Sequence, residues 1–136
     1  MKKIVFLLFM SLTAYSVNAQ TCSPNYVVDD VDVTFFGNLV TFDWTNPIPV
    51  SFPPPPPGNV SYHIEIEWGA LNSFGNVTWG LHPEFIYKYT ILSVGPQTVS
   101  TVNAYRSTTH VRMRVQLTKK AATCEHSWSP WFEFAL

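Results

Sequence analysis

The sequence is poor in charge and carries no field of one sign. Charged residues are 12% of its 136 residues, and the formal net charge at pH 7 is −1. A protein that binds the phosphate backbone needs clustered lysine and arginine, so we expect no nucleic-acid partner. After the first residues, no apolar run reaches the roughly 20 residues that a membrane-spanning helix needs. We therefore expect no membrane span in the rest of the chain.

Helical periodicity is also missing. No segment of ten residues repeats apolar positions with the 3.6-residue period of an amphipathic helix, and no internal repeat is found. Short runs instead alternate apolar and polar residues with period two, and Gly, Pro and Asn separate them. This pattern predicts an all-β fold, a two-sheet antiparallel sandwich.

Motifs that carry catalytic chemistry are absent from the sequence. It contains no Gly-x-Ser-x-Gly, no His-Glu-x-x-His, no phosphate-binding loop and no zinc-ligand pair. A catalytic triad can assemble without a sequence motif, so the absence leaves an enzyme unsupported rather than disproved. We expect a non-enzymatic protein without a cofactor.

The first nineteen residues have the layout of a secretory signal peptide. Lys2 and Lys3 precede the apolar run Ile4–Met10, and Val17-Asn18-Ala19 has the small-x-small pattern of a cleavage site. The run is too short for a membrane anchor, and Ala19-Gln20-Thr21 fits a lipid-attachment box before Cys22 poorly. We expect cleavage near Ala19 in a bacterial secreted protein, extracellular or periplasmic.

Cleavage there leaves residues 20–136, the size of a single domain, and changes the formal net charge from −1 to −3 because two lysines are removed. Two cysteines remain, Cys22 and Cys124. Exported proteins fold in oxidising compartments, which favours a disulfide between them. Two free thiols and a bridge to another chain are the alternatives.

Runs rich in β-forming residues define the predicted strands. They are roughly Tyr26–Val33, Leu39–Thr45, Ser61–Trp68, Phe85–Ile91, Thr98–Val102, Val111–Leu117 and a last run ending at Phe134. Alternation within these runs sends one set of apolar side chains to the core: Val40, Phe42, Trp44, Tyr62, Ile64, Ile66, Trp68, Val111, Met113, Val115 and Leu117. The last two runs form an antiparallel hairpin joined by a polar loop.

Four of these motifs together resemble a fibronectin type III domain. Val40-x-Phe42-x-Trp44 is similar to strand B of that family, and Tyr62-x-Ile64-x-Ile66 to strand C. Val111–Val115 is similar to the Arg-Val-Arg run of strand F, and Trp128-Ser129-Pro130-Trp131 to the start of strand G. The resemblance implies an immunoglobulin-like sandwich of about seven strands.

In the resembled fold, strand C lies beside strand F. Glu65 and Glu67 would therefore face Arg112 and Arg114, and Trp131 would lie on the other side of the same arginines. We interpret these residues as a structural ladder of ion pairs and cation–π contacts. A metal site formed by His63 with the two glutamates is the weaker alternative, and we expect no metal.

The resemblance also implies a functional pole. Strand A begins at the pole that carries the B–C and F–G loops, so a Cys22–Cys124 bridge fits this fold. The B–C loop holds the proline-rich insertion Pro47–Gly58, a stiff polyproline II segment. It is either a docking surface or simply a rigid loop. We expect a partner to contact Phe52, Pro53, Pro54, Pro55, Pro56, Pro57, Lys119, Lys120 and His126.

Aromatic residues, 15% of the chain, suggest a second kind of site. The chain has more aromatic residues than one small core needs, and Trp79, Tyr87 and Tyr89 are among the surplus. Exposed rings can stack on sugars. The alternative is that these three residues fill a minor hydrophobic cluster. Strand addition at an open sheet edge would make the protein a structural subunit of a surface assembly. Our leading hypothesis is a secreted, non-catalytic binding or adhesion module with a protein or glycan partner.

Overall fold

The computed structural model describes residues 20–49, 60–81, 84–90, 96–119 and 123–136, the third of these ranges by its backbone alone. All regular structure in these ranges is β. The strands are β1 Gln20–Thr21, β2 Asp32–Phe36, β3 Leu39–Thr45, β4 Val60–Leu71, β5 Val77–Thr78, β6 Glu84–Thr90, β7 Pro96–Val102, β8 His110–Lys119, β9 Cys124–Glu125 and β10 Phe132–Ala135. The described ranges contain no helix long and apolar enough to cross a membrane.

Two antiparallel sheets form the molecule, which confirms the predicted all-β sandwich. One sheet has the order β2-β3-β7. The other has the order β10-β8-β4, and β5 and β6 both pair with the remaining edge of β4. The short strands β1 and β9 pair in parallel. The described ranges contain ten strands, so the expected number of about seven is too low; three of the ten span only two residues each.

The predicted strand bounds are met where alternation is regular. β3 begins and ends as predicted, and β4 and β8 extend the predicted runs. The predicted first strand, Tyr26–Val33, is wrong because β2 begins only at Asp32. Val28 and Val31 are buried three residues apart, with two exposed aspartates between them. The segment thus contributes to the core without the period of two that a ladder requires.

A second difference concerns residues 69–80, which lie between the predicted strands Ser61–Trp68 and Phe85–Ile91. There β4 continues to Leu71 and forms a hairpin with β5. The Asn72 side-chain oxygen accepts the amides of Phe74 and Asn76 at 2.9 and 3.0 Å. The backbone of Asn72 also pairs with Asn76 and Gly75. The asparagine thereby satisfies the turn's amides and lets the two strands close.

The core lies between the two sheets and is built mainly by β3, β4 and β8. Every side chain that alternation assigned to the core is at most 3% exposed. Phe42 reaches across to Phe134, with ring centroids 6.1 Å apart. Trp44 stands edge-on to Tyr62 at 5.4 Å. Burial raises the pKa of Tyr62 to about 12, and contact with Trp44 opposes part of the rise.

Replacing Trp44 by alanine should destabilise the protein by roughly 3–5 kcal/mol, since it removes a large ring that is 3% exposed and leaves a cavity. Urea unfolding followed by circular dichroism measures the loss. Phe36→Ala is the control, because Phe36 is 86% exposed and should change stability by less than about 0.5 kcal/mol. Equal stability of the two variants would show that the inner face of β3 has been assigned incorrectly.

Candidate functional site

The register of β4 and β8 brings the two predicted loops to one end of the sandwich. Val60, the first residue of β4, lies opposite Lys119, the last residue of β8. The chain therefore enters β4 from the proline-rich insertion at the same end of the sheet where it leaves β8. Of the predicted contacts, Phe52, the five prolines and Lys120 lie outside the described residues, and Lys119 is described by its backbone.

A disulfide fixes the N-terminal segment at this pole. Cys22 and Cys124 are bonded across 102 residues of sequence, with their Cα atoms 4.9 Å apart, which confirms the predicted bridge. Two further contacts hold this segment: β1 pairs in parallel with β9, and the Cys22 amide donates a 2.9 Å hydrogen bond to the Glu125 carbonyl. The bridge is compatible with an oxidising location such as the cell exterior.

The residues after the bridge are held by several hydrogen bonds, two of which are partly buried. His126 is 6% exposed; its Nδ1 accepts the Tyr26 amide at 3.0 Å, and the two rings are 5.6 Å apart. Asn25 and Ser127 exchange two hydrogen bonds of 2.9 Å, and Gln116 donates to the His126 carbonyl at 2.7 Å. The ring of His126, which was predicted to contact a partner, is therefore almost fully covered by the protein itself. The buried ring joins the N-terminal segment to the loop.

The predicted ion pairs are present on the outer face of the five-strand sheet that contains β4 and β8. Glu67 lies directly opposite Arg112, and Glu65 opposite Arg114. Nη2 of Arg112 is 2.6 Å from Oε2 of Glu67, and Nε of Arg114 bonds Oε2 of Glu65. Arg112 also reaches Glu133 at 3.3 Å. The arginine side chains are 20% and 33% exposed, so neighbouring side chains cover most of their surface.

That cover comes from three tryptophans. Arg112 lies between Trp79 and Trp131, with its guanidinium carbon 4.6 and 4.3 Å from the ring centroids. Arg114 lies between Trp131 and Trp128, at 4.7 and 4.5 Å. We call this alternation of Trp79, Arg112, Trp131, Arg114 and Trp128 the tryptophan–arginine ladder. Each guanidinium is held by a carboxylate in the plane of the sheet and by indoles on two sides.

A histidine lies at each end of the ladder. His63 contacts Trp128, with ring centroids 4.7 Å apart, and His110 meets Trp79 edge-on at 6.2 Å. The three residues considered as metal ligands, His63, Glu65 and Glu67, thus all contact the ladder. Across the described ranges, no group of three His, Cys, Asp or Glu residues is arranged to hold a metal ion.

Sequence reasoning found Trp131 but missed the roles of Trp79 and Trp128. Trp79 was considered for a glycan site or for a minor hydrophobic cluster; the structure stacks it on Arg112 and leaves it half-buried. The sequence feature that could have indicated this packing is Gly69. A Cβ on this residue would lie 2.7 Å from the Trp79 ring, so the ring can pack here only against a glycine. The other two predicted glycan-binding aromatics, Tyr87 and Tyr89, belong to β6, where only the backbone is described.

Comparison with protein-family models and with curated proteins gives no match. Membership of the fibronectin type III family therefore stays a prediction from the four motifs.

Replacing both ladder arginines, Arg112→Ala with Arg114→Ala, should lower the free energy of unfolding by about 1–2 kcal/mol without abolishing the fold. Partly exposed ion pairs and cation–π contacts are individually weak. Urea unfolding measures the loss. Arg106→Ala, at an exposed arginine outside the ladder, is the matched control and should have no measurable effect. A double variant as stable as this control would refute the ladder's contribution.

Removing the bridge with Cys22→Ser and Cys124→Ser should destabilise the protein by roughly 2–4 kcal/mol. The closed loop spans 102 residues, so the bridge removes much of the freedom of the unfolded chain. The measurement is urea unfolding of the oxidised wild type and of the variant, after intact mass has shown two fewer hydrogens in the wild type. Wild-type protein that is no more stable than the variant would show that the bridge leaves the unfolded chain unconstrained.

Proposed function

We propose that this protein is a secreted, non-catalytic binding or adhesion module, and that its partner docks at the pole where the disulfide lies. The observation that carries the proposal is the support of the segment 124–131 beside the predicted docking loop. A covalent bond, a two-strand pairing and several hydrogen bonds fix this segment. Few of these contacts serve the hydrophobic core.

Rigid support matters for binding because an ordered surface loses little conformational freedom when it docks. Binding residues of β-sandwich proteins lie preferentially on loops that a rigid scaffold positions. The proline-rich insertion enters β4 at the same end of the sheet, and its five consecutive prolines are stiff by composition. Two pre-ordered segments side by side form the surface that we assign to the partner.

The proposed contact surface consists of Phe52–Pro57, Lys119 and Lys120. In this proposal His126 supports the N-terminal segment and does not contact the partner, because its ring is buried. Secretion follows from the signal-like residues 1–19 and accords with the disulfide. The partner is a protein or glycan at the cell surface or outside the cell.

The glycan-binding alternative has less support. A sugar stacks on an open aromatic face, but Trp79 is half-buried with Arg112 against its ring. The third candidate, a structural subunit, would use an edge strand such as β7 for strand addition. Both alternatives are outcomes of the same experiment.

Replacing Pro53–Pro57 with glycine and serine should abolish or strongly weaken capture of the partner. The experiment immobilises the disulfide-bonded chain, residues 20–136, and identifies captured proteins by mass spectrometry and captured sugars on a glycan array. Phe74→Ser serves as the control, because Phe74 lies in the remote turn between β4 and β5. Circular dichroism and urea unfolding first show that both variants are folded.

Two results would contradict the proposal. If capture is unchanged by the exchange of the prolines but lost in Trp79→Ala, the partner contacts the ladder face, and glycan hits would then favour a carbohydrate-binding module. If the chain captures only itself and forms concentration-dependent oligomers, the structural subunit is the better assignment.

A further inference from the structure

The outer face of the β2-β3-β7 sheet is arranged in three rows of different chemistry. Directly paired residues in neighbouring strands point to the same face, so the register defines each row. The outward residues form an apolar row of Phe36, Leu39 and Val102, a hydroxyl row of Thr34, Thr41 and Ser100, and an acidic row of Asp32, Asp43 and Thr98. Rows follow one another at about 7 Å along the strands.

The apolar row is exposed to solvent. Phe36 is 86% exposed, Val102 57% and Leu39 39%, and the three are adjacent across all three strands. Adjacent exposed apolar residues mark interaction sites more often than scattered ones do. On the five-strand sheet, the ladder covers the corresponding outer face with indole rings. No such cover lies over the β2-β3-β7 sheet among the described residues.

In the protein without a partner, the acidic row brings like charges together at a cost in stability. Asp32 and Asp43 lie directly opposite each other on neighbouring strands, a position in which like charges destabilise a sheet. Asp29 and Asp30 line the same hollow of about 340 Å³. Thr98 donates a hydrogen bond to Asp43, but none of the four aspartates forms an ion pair within the described part of the chain.

Cations are absent from this whole sheet. Residues 20–49 and 96–102 contain four aspartates and no lysine, arginine or histidine. The formal charge of these segments, −4, exceeds the −3 of residues 20–136 as a whole, so the rest of that region is slightly positive. A second copy of this face, an anionic lipid surface and a nucleic acid would all be repelled. Charge complementarity favours a basic partner.

We propose that this outer face docks a basic, extended peptide segment of a partner protein. An apolar side chain of the segment covers the row of Phe36, Leu39 and Val102. Lysine or arginine about four residues further along the segment lies between Asp32 and Asp43, since four extended residues span roughly 14 Å, the separation of the two rows. The cation also relieves the repulsion between the paired aspartates. This site is a face of the β2-β3-β7 sheet, whereas the surface proposed at the pole is formed by loops.

The test uses the disulfide-bonded chain, residues 20–136, and a short probe peptide with the sequence Phe-Ser-Thr-Ser-Lys-Ser-Lys. Its alternate residues match the three rows. Amide chemical shifts of the isotopically labelled protein report the Kd and the contact surface. A peptide with glutamate in place of lysine and a peptide of shuffled order are the ligand controls. Shifts should concentrate on β2, β3 and β7, and the glutamate peptide should not bind.

Two sets of variants test the residues. Phe36→Ser should weaken binding roughly tenfold by removing the apolar anchor. Phe74→Ser is its matched control, because Phe74 is 87% exposed on a turn of the other sheet, and it should leave the Kd unchanged. Asp32→Asn with Asp43→Asn should weaken binding roughly three- to tenfold. Asp32→Asn alone should raise the urea midpoint of the free protein, although loss of the charge weakens peptide binding. If Asp32 had a purely structural role, its replacement would lower the midpoint.

Equal affinity for the lysine and glutamate peptides, or equal effects of Phe36→Ser and Phe74→Ser, would overturn the proposal. Self-association that covers this face and is lost in Phe36→Ser would also overturn it in favour of a second copy. Exchange of Pro53–Pro57 should leave the affinity for the probe peptide unchanged. The peptide site on this sheet and the partner site at the pole can therefore be refuted independently.

Discussion

The pairing of β4 with β8 is the interaction on which the rest of the structure depends. Ten residues of one strand lie opposite ten of the other, from Val60 with Lys119 to Gly69 with His110. Because side chains alternate, this one register sets the central layer of the core on one side and the glutamate–arginine pairs on the other. A slip of one residue would send both sets to the wrong face. Core packing and surface electrostatics therefore select the same register.

Much of the fold could be predicted because the strands that form the core alternate cleanly. Val40, Phe42 and Trp44 on β3 needed only the period of two, and the same rule gave the inner faces of β4 and β8. The pairing of Glu65 and Glu67 with the arginines followed from the resemblance, which predicted that these strands are neighbours. The disulfide followed from having two cysteines in a chain with a signal-like start.

The remaining errors have physical causes. The segment that contains Val28 and Val31 is apolar enough to suggest a strand, but its spacing matches a loop pressed against the core. Trp79 and Trp128 lie outside the long strands, so no periodicity could reveal that both meet an arginine. The burial of His126 depends on hydrogen bonds to Tyr26, a residue a hundred positions away, and only the folded chain brings them together.

The two outer faces of the sandwich have opposite characters. On one face, charges are paired and aromatic rings are stacked, so its groups already satisfy one another. On the other face, apolar side chains are exposed and aspartates face aspartates. Both faces belong to antiparallel sheets, so their opposite characters come from the choice of outward side chains. A fold of this kind can devote one surface to stability while the opposite surface retains capacity for binding.

The position of the disulfide divides the chain into a closed ring and a tail. Residues 22–124 form the covalent ring, and β10 lies beyond it, although it pairs with the edge of β8. The tail carries Trp128 and Trp131, and Ser129 bonds the backbone of Val115 in both directions. The ladder thus acts as a clasp that closes the sheet's last strand onto the ring. In a chain made from its N-terminus, this clasp is synthesised after both cysteines, so the ladder can form only after every residue of the covalent ring has been made.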